Sequence, residues 1–439
     1  MTAVPICDWS CDADALYEVV MADSAVSASL ATSAAKEKRG PLSGLRIVEL
    51  GHFIAGPFAA RLLADLGADV IKIEPPDGGD PARGWGLAID GRSLWWSVHA
   101  RNKTCITLDV KTPAGRALAR RLIAASDGVL ENFRPGQMER WGLGPAEIEQ
   151  VNPRCILVRI SGFGQTGPYR ERAAFGVIGE AIGGIRHLTA FPKNVSDLPP
   201  VRTGVSLSDS LAGLYAVIGL LAALYQRDIA GSGRGRVVDT ALYEAVFSLM
   251  EGCLTEYGAL NIVREPSGST LPTNAPSNAY RCADGDWLCI AGNSDRIFGR
   301  LAALLGQPDL ARDPRFVTNR QRVAHAGLLD TIIGGWVARL SSQEAEAALE
   351  AAEIPASRIY TIADCAADPH FRARDMIRTV ADPVFGPVLH PGIVPRFDGE
   401  DGTIAWAGPA LGQHNTEVYG GLLGLSATEI EALRQARVI

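Results

Sequence analysis

The sequence predicts an α/β protein, with a large domain built on a doubly wound, mostly parallel, Rossmann-like sheet and a smaller α+β domain. Two observations support this fold class. From Leu45 onward, short β-rich runs alternate with helical stretches, which is typical of a parallel sheet covered by helices. Beyond about residue 260 the sequence becomes rich in Pro, Asn and Ser, and 439 residues exceed what one hydrophobic core usually supports.

The first strand–loop–helix unit begins at Leu45. A β-rich run over residues 45–50 is followed by a loop at residues 51–57 and then by a helix. That helix carries apolar side chains every four residues, at Phe58, Leu62 and Leu66. Gly67 suits the left-handed residue that ends a helix, and a second strand over residues 70–73 requires a parallel crossover.

The same alternation continues along the large domain. Further strands are predicted over residues 105–110, 129–133 and 155–160, and helices after Thr112 and around residues 145–150. Thr112 suits a helix cap and Pro113 suits the first helical turn. Because ligands bind such sheets beyond the carboxyl ends of the strands, three loops matter most, at residues 51–57, 131–136 and 161–168.

Changes of composition suggest four segments. Residues 1–40 are rich in Ala and Ser and are predicted to form a partly ordered N-terminal extension, and residues 41–250 the large domain. Residues 251–374 are predicted to form the small domain with its linkers, and residues 375–439 to return to the large domain. An apolar helix over residues 207–227 is interpreted as a core helix rather than a membrane span.

Composition argues against several classes of function. The net charge is −7 and no dense Lys/Arg cluster is present, so we expect no nucleic-acid partner. The eight cysteines lack the spacing of a zinc site, so no metal is predicted. With no uninterrupted apolar run of membrane-spanning length, and no basic start followed by an apolar stretch and a cleavage site, we expect a cytoplasmic protein without a membrane partner.

The loop at residues 51–57 lacks the GxGxxG pattern that receives a dinucleotide, which disfavours a nicotinamide dehydrogenase. The helix that follows still offers free backbone amides near Ala55 and Gly56, which could receive a phosphate or a carboxylate. A tight turn that needs small residues explains the same glycine, so the loop alone does not decide between the two interpretations.

A series of segments resembles, in order, those of family III CoA-transferases. They are ADLGADVIKIEP at 64–75, GD at 79–80, RGW at 83–85, RNK at 101–103, LDVKTP at 108–113, ENFRPG at 131–136, GFGQTGP at 162–168 and GQH at 412–414. The resemblance covers residues 41–435. The family that it points to includes both CoA-transferases and acyl-CoA racemases. It implies acyl-CoA and carboxylic acid substrates, no permanently bound cofactor, and an interlocked homodimer of two ring-shaped chains.

The resemblance also implies a nucleophile at Asp209, in the segment GVSLSDS at residues 204–210. In family transferases this aspartate attacks an acyl-CoA thioester to form a mixed anhydride, and the departing CoA thiolate reopens it to leave CoA on the aspartate. Water must be excluded during these steps, which implies a closed pocket. Without the resemblance, Asp209 would be interpreted as an ordinary helix N-cap.

Departures from the family pattern bear on the reaction. Racemases carry a His–Asp pair where this chain has Phe175 and Gly176, so racemisation is the second hypothesis. Some transferases have an acidic residue at the position of Gly176, and Glu180, one helical turn later, is the candidate replacement. Ile54 stands where oxalate-specific members have glutamine, so oxalate and formate are not expected as substrates. A third hypothesis is a non-catalytic subunit that relies on another chain.

The resemblance implies that CoA is surrounded by His52, Phe53, Ala55, Leu108, Lys111, Asn132, Phe133 and Arg140. Lys111 and Arg140 are the expected phosphate contacts, although such side chains are often merely solvated. Near the acyl group we expect Ile54, Trp85, Gly176, Glu180, Arg186 and His187. Arg186, His187 and Arg202 are cations that could pair with a second carboxylate, or else surface residues, and they suggest a dicarboxylate with succinyl-CoA as donor.

Overall fold

The computed structural model describes residues 39–399 and 401–439, and the N-terminal extension predicted over residues 1–40 lies outside them except for its last two residues. Six parallel strands form the main sheet, in the order β5-β2-β1-β6-β7-β8, and β3 and β4 form a short hairpin. The strands are β1 (Arg46–Glu49), β2 (Asp69–Glu74), β3 (Ala88–Ile89), β4 (Arg92–Ser93), β5 (Thr104–Thr107), β6 (Gly128–Glu131), β7 (Ile156–Ser161) and β8 (Val237–Ala241).

The order of the strands confirms a mixed α/β protein with a large parallel sheet. Starting from β1, the chain adds β2 and then β5 toward one edge of the sheet. It then crosses to the other side of β1 and adds β6, β7 and β8 toward the opposite edge. In β1, Arg46 pairs with Asp69 of β2, and Ile47 pairs with Gly128 of β6. Because the direction of winding reverses between β1 and β6, the carboxyl ends of these two strands border a crevice suited to a ligand.

Helices cover both faces of this sheet. They are α1 (Ala55–Asp65), α2 (Leu94–His99), α3 (Pro113–Ala124), α4 (Gln137–Arg140), α5 (Pro145–Val151), α6 (Gly176–Ile182), α7 (Ile185–Leu188), α8 (Leu207–Asp228), α9 (Leu242–Phe247) and α10 (Cys253–Leu260), with a 3-10 turn at Pro81–Gly84. On one face α1 and α8 share a core with Ile47 and Val158. On the other face α3 packs with Val48 and Leu157, as the alternation of side chains along a strand requires.

A second core lies farther along the chain, around Phe298, Phe316 and Ile333. It is covered by an antiparallel sheet in the order β11-β10-β9. Its strands are β9 (Ser277–Arg281), β10 (Trp287–Ala291) and β11 (Ala356–Arg358). Its helices are α11 (Asp295–Leu304), α12 (Asn319–Ala324), α13 (Ala326–Val337) and α14 (Ser342–Ala351), with a 3-10 turn at Pro308–Ala311.

The last part of the chain packs against the main sheet. Its elements are α15 (Ile362–Ala367), α16 (Pro369–Ala373), the hairpin strands β12 (Ile377–Asp382) and β13 (Gly386–Pro391), a π-helix at Glu417–Leu422, and α17 (Ala427–Gln435). Tyr419, Ile430 and Val438 are buried in the same core as α3. Residues near the end of the sequence therefore lie close to strands that form near its beginning.

Helix α8 is apolar on more than its buried side. Ala212, Ala216 and Leu220 are buried against α1 and the sheet, whereas Ile218 and Tyr225 are exposed. By length and composition alone, α8 is the one helix of the described residues that could cross a membrane, and 33% of its most apolar window is buried inside the protein. Buried contacts of this kind are typical of a core helix with one uncovered apolar face.

Candidate active site

The crevice between β1 and β6 holds a cavity of about 450 Å³, called here the switch-point cavity. It is lined by Leu50, His52, Ile73, Glu74, Pro75, Pro76, Asp77, Leu108, Asp109, Val110, Lys111, Phe133, Arg134, Gln137, Trp141 and Arg437. Four side chains predicted from the sequence therefore meet in one cavity: His52, Leu108, Lys111 and Phe133. Its volume and its mixture of apolar and charged walls suit an elongated ligand with an aromatic and an anionic part.

Asn132, just after β6, forms two hydrogen bonds with the loop at residues 51–57. The His52 N–H donates to Asn132 Oδ1 at 2.7 Å, and Asn132 Nδ2 donates to the His52 carbonyl oxygen at 2.8 Å. The close approach favours glycine at position 51, where a Cβ would lie only 3.0 Å from Asn132 Oδ1. His52 in turn meets the ring of Phe133 edge-on, with centroids 5.2 Å apart. Burial, together with the charge of Lys72, lowers the pKa of His52, so its imidazole is neutral at pH 7.

A buried network of charged side chains supports this loop from below. Lys72 Nζ contacts Glu49 Oε1 at 2.9 Å and Asp80 Oδ2 at 2.8 Å, and it also donates to the Gly51 carbonyl oxygen at 2.7 Å. Asp80 Oδ1 accepts from the Phe53 N–H at 3.0 Å, and Phe53 has a left-handed φ of 64°. Burial opposes ionisation of Asp80, but Lys72 outweighs it and lowers the pKa of Asp80. Our sequence analysis did not identify this network.

Two further predicted residues stand at the start of α1 behind the loop. Ile54 and Ala55 are 6% and 3% exposed, so both belong mainly to the packed core. The predicted phosphate contact Arg140 is not among the side chains that line the cavity, and its Nη2 donates to Gln137 Oε1 at 2.7 Å. Arg134 and Arg437, which our sequence analysis did not single out as ligand contacts, do line the cavity.

Asp209 is placed in the first turn of α8, where the N-cap is Ser206. The interpretation of Asp209 as an N-cap is therefore wrong, because it is the third residue inside the helix. Its carboxylate lies directly over Gly176 at the start of α6, and a Cβ built on Gly176 would be 2.0 Å from Asp209 Oδ2. Gly176 thus provides the space in which the carboxylate sits.

Burial and the nearby Glu180 raise the pKa of Asp209 to about 6, against a smaller opposing effect of Arg202. Glu180 is 1% exposed, and its Oε2 pairs with Arg186 Nη1 at 3.3 Å. Within the described residues Glu180 Oε1 has no hydrogen-bond partner. The predicted Asp209, Gly176, Glu180 and Arg186 therefore form one constellation, in which a desolvated carboxylate faces a second acidic group.

A chain of aromatic contacts connects Asp209's surroundings with the loop above the switch-point cavity. The Phe53 ring lies 4.9 Å from that of Trp85 and 6.0 Å from that of Phe175, centroid to centroid. Phe175 directly precedes Gly176, and Trp85 is 38% exposed. These rings form an accessible apolar surface between the two regions. A flexible, uncharged part of a ligand could lie along such a surface.

His187 does not belong to the constellation of Asp209, Gly176, Glu180 and Arg186. It pairs with Glu265 at 3.6 Å, and both side chains are exposed. It lines a separate, largely apolar cavity of about 260 Å³, together with residues of α10 such as Leu254 and Tyr257. Among the described residues, no group of three His, Cys, Asp or Glu side chains could hold a metal ion.

A desolvated carboxylate near a cavity with apolar and cationic walls is compatible with chemistry on a CoA thioester, and comparison with known proteins gives the class. The model of CoA-transferase family III matches residues 42–415. The chain belongs to this family, and it is a CoA-transferase that acts on CoA thioesters.

Particular relatives are similar over almost the whole chain. Succinyl-CoA–D-citramalate CoA-transferase of Chloroflexus aurantiacus is 50% identical over 400 residues, which cover 91% of this chain and 98% of that protein. The beta subunit of succinyl-CoA–L-malate CoA-transferase from the same organism is 39% identical over 403 residues, covering 91% and 98%. A crystal structure of a CAIB/BAIF family protein from Brucella suis has a TM-score of 0.76 and 36% identity, covering 88% of this chain and 100% of that one.

Proposed function

We propose that this enzyme transfers CoA from succinyl-CoA to a dicarboxylic acid through a thioester on Asp209. The observation that carries the proposal is the Asp209 carboxylate itself, which is desolvated, lies over the glycine at position 176, and has a raised pKa. A poorly hydrated carboxylate is a better nucleophile than one in water, and at pH 7 a pKa of about 6 leaves most of it ionised.

The proposed reaction has four steps on one side chain. An Asp209 oxygen attacks the thioester carbonyl of succinyl-CoA and expels the CoA thiolate, which leaves a succinyl–aspartyl anhydride. The thiolate then attacks the aspartyl carbonyl, succinate departs, and CoA is held as a thioester. A carboxylate oxygen of the acceptor acid next displaces the thiolate to form a second anhydride. Attack of the thiolate on the acceptor carbonyl completes the new thioester and regenerates Asp209.

The choice of substrates is supported by the relatives and by the charges near Asp209. The two enzymes from Chloroflexus aurantiacus are named for succinyl-CoA with D-citramalate or L-malate, both hydroxylated dicarboxylic acids. In this chain the positive charge of Arg202 lowers the pKa of Asp209 against the larger opposing effects, and Arg186 forms an ion pair with the neighbouring Glu180. We propose that these cations receive the second carboxylate of the acceptor, and that D-citramalate and L-malate are the first acids to assay.

CoA is proposed to lie with its nucleotide in the switch-point cavity and its pantetheine along the aromatic rings. His52, Leu108, Lys111 and Phe133 would contact the nucleotide end, with Asn132 and Ala55 holding the loop. Phe53 and Trp85 would guide the pantetheine toward Asp209. Arg140 remains a candidate phosphate contact, since its side chain at the rim is exposed and could turn from Gln137.

An interlocked homodimer is also proposed. Support comes from the exposed apolar side chains of α8, such as Ile218 and Tyr225, and of α10, such as Leu254 and Leu260. A surface of this kind is usually covered by another chain. Light scattering of the purified protein should give about twice the 46.6 kDa of one chain. A monomeric mass would contradict this part of the proposal.

The test of the covalent step is the intact mass of the protein after incubation with succinyl-CoA. We expect an adduct of CoA mass on the wild type, which hydroxylamine converts to a hydroxamate and which Asp209→Ala cannot form. The relatives also include the separate alpha and beta subunits of one enzyme, so a non-catalytic subunit is the alternative. Binding of CoA without any adduct across a panel of acyl-CoA donors would favour that alternative.

A further inference from the structure

The wall of the switch-point cavity includes Arg437, from a segment that lies at the far end of the sequence. After α17 the chain turns at Arg437, whose φ of 54° is left-handed. The next two side chains, Val438 and Ile439, are 5% and 6% exposed and belong to the core beneath the main sheet. This anchoring leaves Arg437 at the surface while its neighbours are fixed in the interior.

The anchor is attached to the same loop that presents Lys111. The Asp109 N–H donates to the Val438 carbonyl oxygen at 2.7 Å, and Asp109 Oδ1 accepts from the Lys111 N–H at 3.0 Å. One backbone hydrogen bond therefore joins residues 437–439 to the loop after β5, and a second one shapes that loop around Lys111. Arg437 and Lys111 line the same cavity because of this attachment, although they are far apart in the sequence.

The charges of the cavity favour an anion. Arg134, Lys111 and Arg437 line it, and within the described part of the chain none of their side chains forms an ion pair. The acidic side chain Glu74 is already neutralised by Arg83, which donates to both of its carboxylate oxygens at 2.7 and 2.8 Å. The remaining acids are Asp77, at the exposed rim, and Asp109, whose Oδ1 is occupied by the Lys111 N–H.

We propose that Arg437 binds a phosphate of the CoA nucleotide, so that residues 437–439 form one wall of the CoA site. The proposal rests on the placement of the nucleotide in the switch-point cavity. A guanidinium can donate two parallel hydrogen bonds to a phosphate, and Arg437 lines the cavity next to the loop that carries Lys111. Affinity for CoA then depends on the docking of the α17 segment, while the chemistry at Asp209 does not.

The test is direct CoA binding by calorimetry, together with steady-state kinetics, for Arg437→Gln. We expect the dissociation constant for CoA and the KM for succinyl-CoA to rise roughly tenfold, because glutamine replaces neither the charge nor the paired donors of the guanidinium at this exposed site. The kcat and the KM for the acceptor acid should stay unchanged, and Arg437→Lys should recover part of the affinity. Arg434→Gln is the matched control, because Arg434 is exposed on the same segment but pairs with Glu431 outside the cavity.

Two comparisons separate the possible results. If Lys111→Gln weakens CoA binding and Arg437→Gln does not, the nucleotide lies in the cavity and the role of Arg437 is wrong. If neither variant weakens binding, the placement of CoA is wrong as well, whatever the outcome at Asp209. A 3′-dephospho-CoA thioester identifies the phosphate. Arg437→Gln should lose the wild-type preference for CoA over this analogue if the contact is the 3′-phosphate, and should weaken both equally if it is the pyrophosphate.

Discussion

The relation between Asp209 and Gly176 is the most informative contact at the scale of single residues. An acidic side chain at position 176 would displace the Asp209 carboxylate, because even a Cβ there would overlap Asp209 Oδ2 where it now lies. The neighbouring acid is supplied instead by Glu180, one turn along α6. The sequence permitted Glu180 to be named as the replacement, but it could not reveal that Gly176 makes room for the Asp209 carboxylate.

Gly176→Ala should therefore remove activity without unfolding the protein. The new methyl group would meet Asp209 Oδ2, the far end of a side chain that can rotate away, so the fold tolerates the change while the nucleophile is displaced. A displacement of about 1 Å can cost on the order of 100-fold, and we expect at least this loss in kcat. Gly299→Ala is the control, since a Cβ there meets nothing within 4 Å. Wild-type kcat in Gly176→Ala would show that the position of the Asp209 carboxylate is not critical.

The pH dependence of the reaction tests the electrostatics of the same pair. Because Asp209 must be ionised to attack and its pKa is raised to about 6, the wild-type kcat/KM should fall as the pH drops through about 6. Glu180→Gln removes a negative neighbour and leaves the charge of Arg186 uncompensated. Both effects favour the ionised form, so the acid limb should move to lower pH. The midpoint of the acid limb is measured from pre-steady-state rates or kcat/KM between pH 4 and pH 8. A midpoint that is unchanged, or that moves to higher pH, in Glu180→Gln would contradict the assigned influence of Glu180.

At the scale of elements, local signals in the sequence are confirmed where short-range chemistry determines the backbone. Thr112 caps α3 by accepting from the Gly115 N–H at 3.0 Å, and Gly67 ends the α1 segment with a φ of 100°. The buried network of Lys72, Glu49 and Asp80, which Lys103 joins through an ion pair with Glu49 Oε2 at 2.8 Å, was not predicted. Its partners come from different elements, and nothing local distinguishes a strand lysine that is fully buried from one that is solvated.

Asp80 should be essential for the loop that carries His52 and Phe53. Asp80→Ala leaves Lys72 with one carboxylate fewer and the Phe53 N–H without its acceptor, so we expect a loss of about 3–5 kcal/mol in the free energy of unfolding. Asp80→Asn keeps an acceptor for Phe53 and should fold better, yet still bind CoA more weakly than the wild type. Urea unfolding followed by CoA titration measures both quantities.

A surface pair provides the comparison for Asp80. Glu431→Ala breaks an exposed pair with Arg434 and should cost less than about 1 kcal/mol. If Asp80→Ala is no more destabilising than Glu431→Ala, the buried network does not hold the loop.

At the scale of the whole molecule, the candidate site depends on contacts between distant parts of the chain. The alternation of strands and helices predicted a mostly parallel sheet but not the order of its strands. His52, Leu108, Lys111 and Phe133 were named from the resemblance to CoA-transferases, and the structure brings these four side chains to one cavity. The position of Arg437 on the same cavity could not be predicted from the sequence, because it follows from the burial of Val438 and Ile439 in the core under α3. Periodicity describes elements one at a time and carries no information about which of them meet.

The central claim is that one oxygen of the acceptor acid passes through Asp209, and isotope transfer tests it most directly. The enzyme is incubated with succinyl-CoA and an acceptor whose carboxylates carry ¹⁸O. The masses of the peptide that contains Asp209 and of the released succinate are then measured by mass spectrometry. The bridging oxygen of the acceptor anhydride stays on Asp209 when the thiolate takes the acyl group. A later turnover passes this oxygen to succinate whenever it is the one of the two equivalent Asp209 oxygens that attacks succinyl-CoA. We therefore predict one ¹⁸O in Asp209 after a single turnover, and ¹⁸O in succinate as turnover continues. Turnover that leaves both without ¹⁸O would contradict the anhydride mechanism.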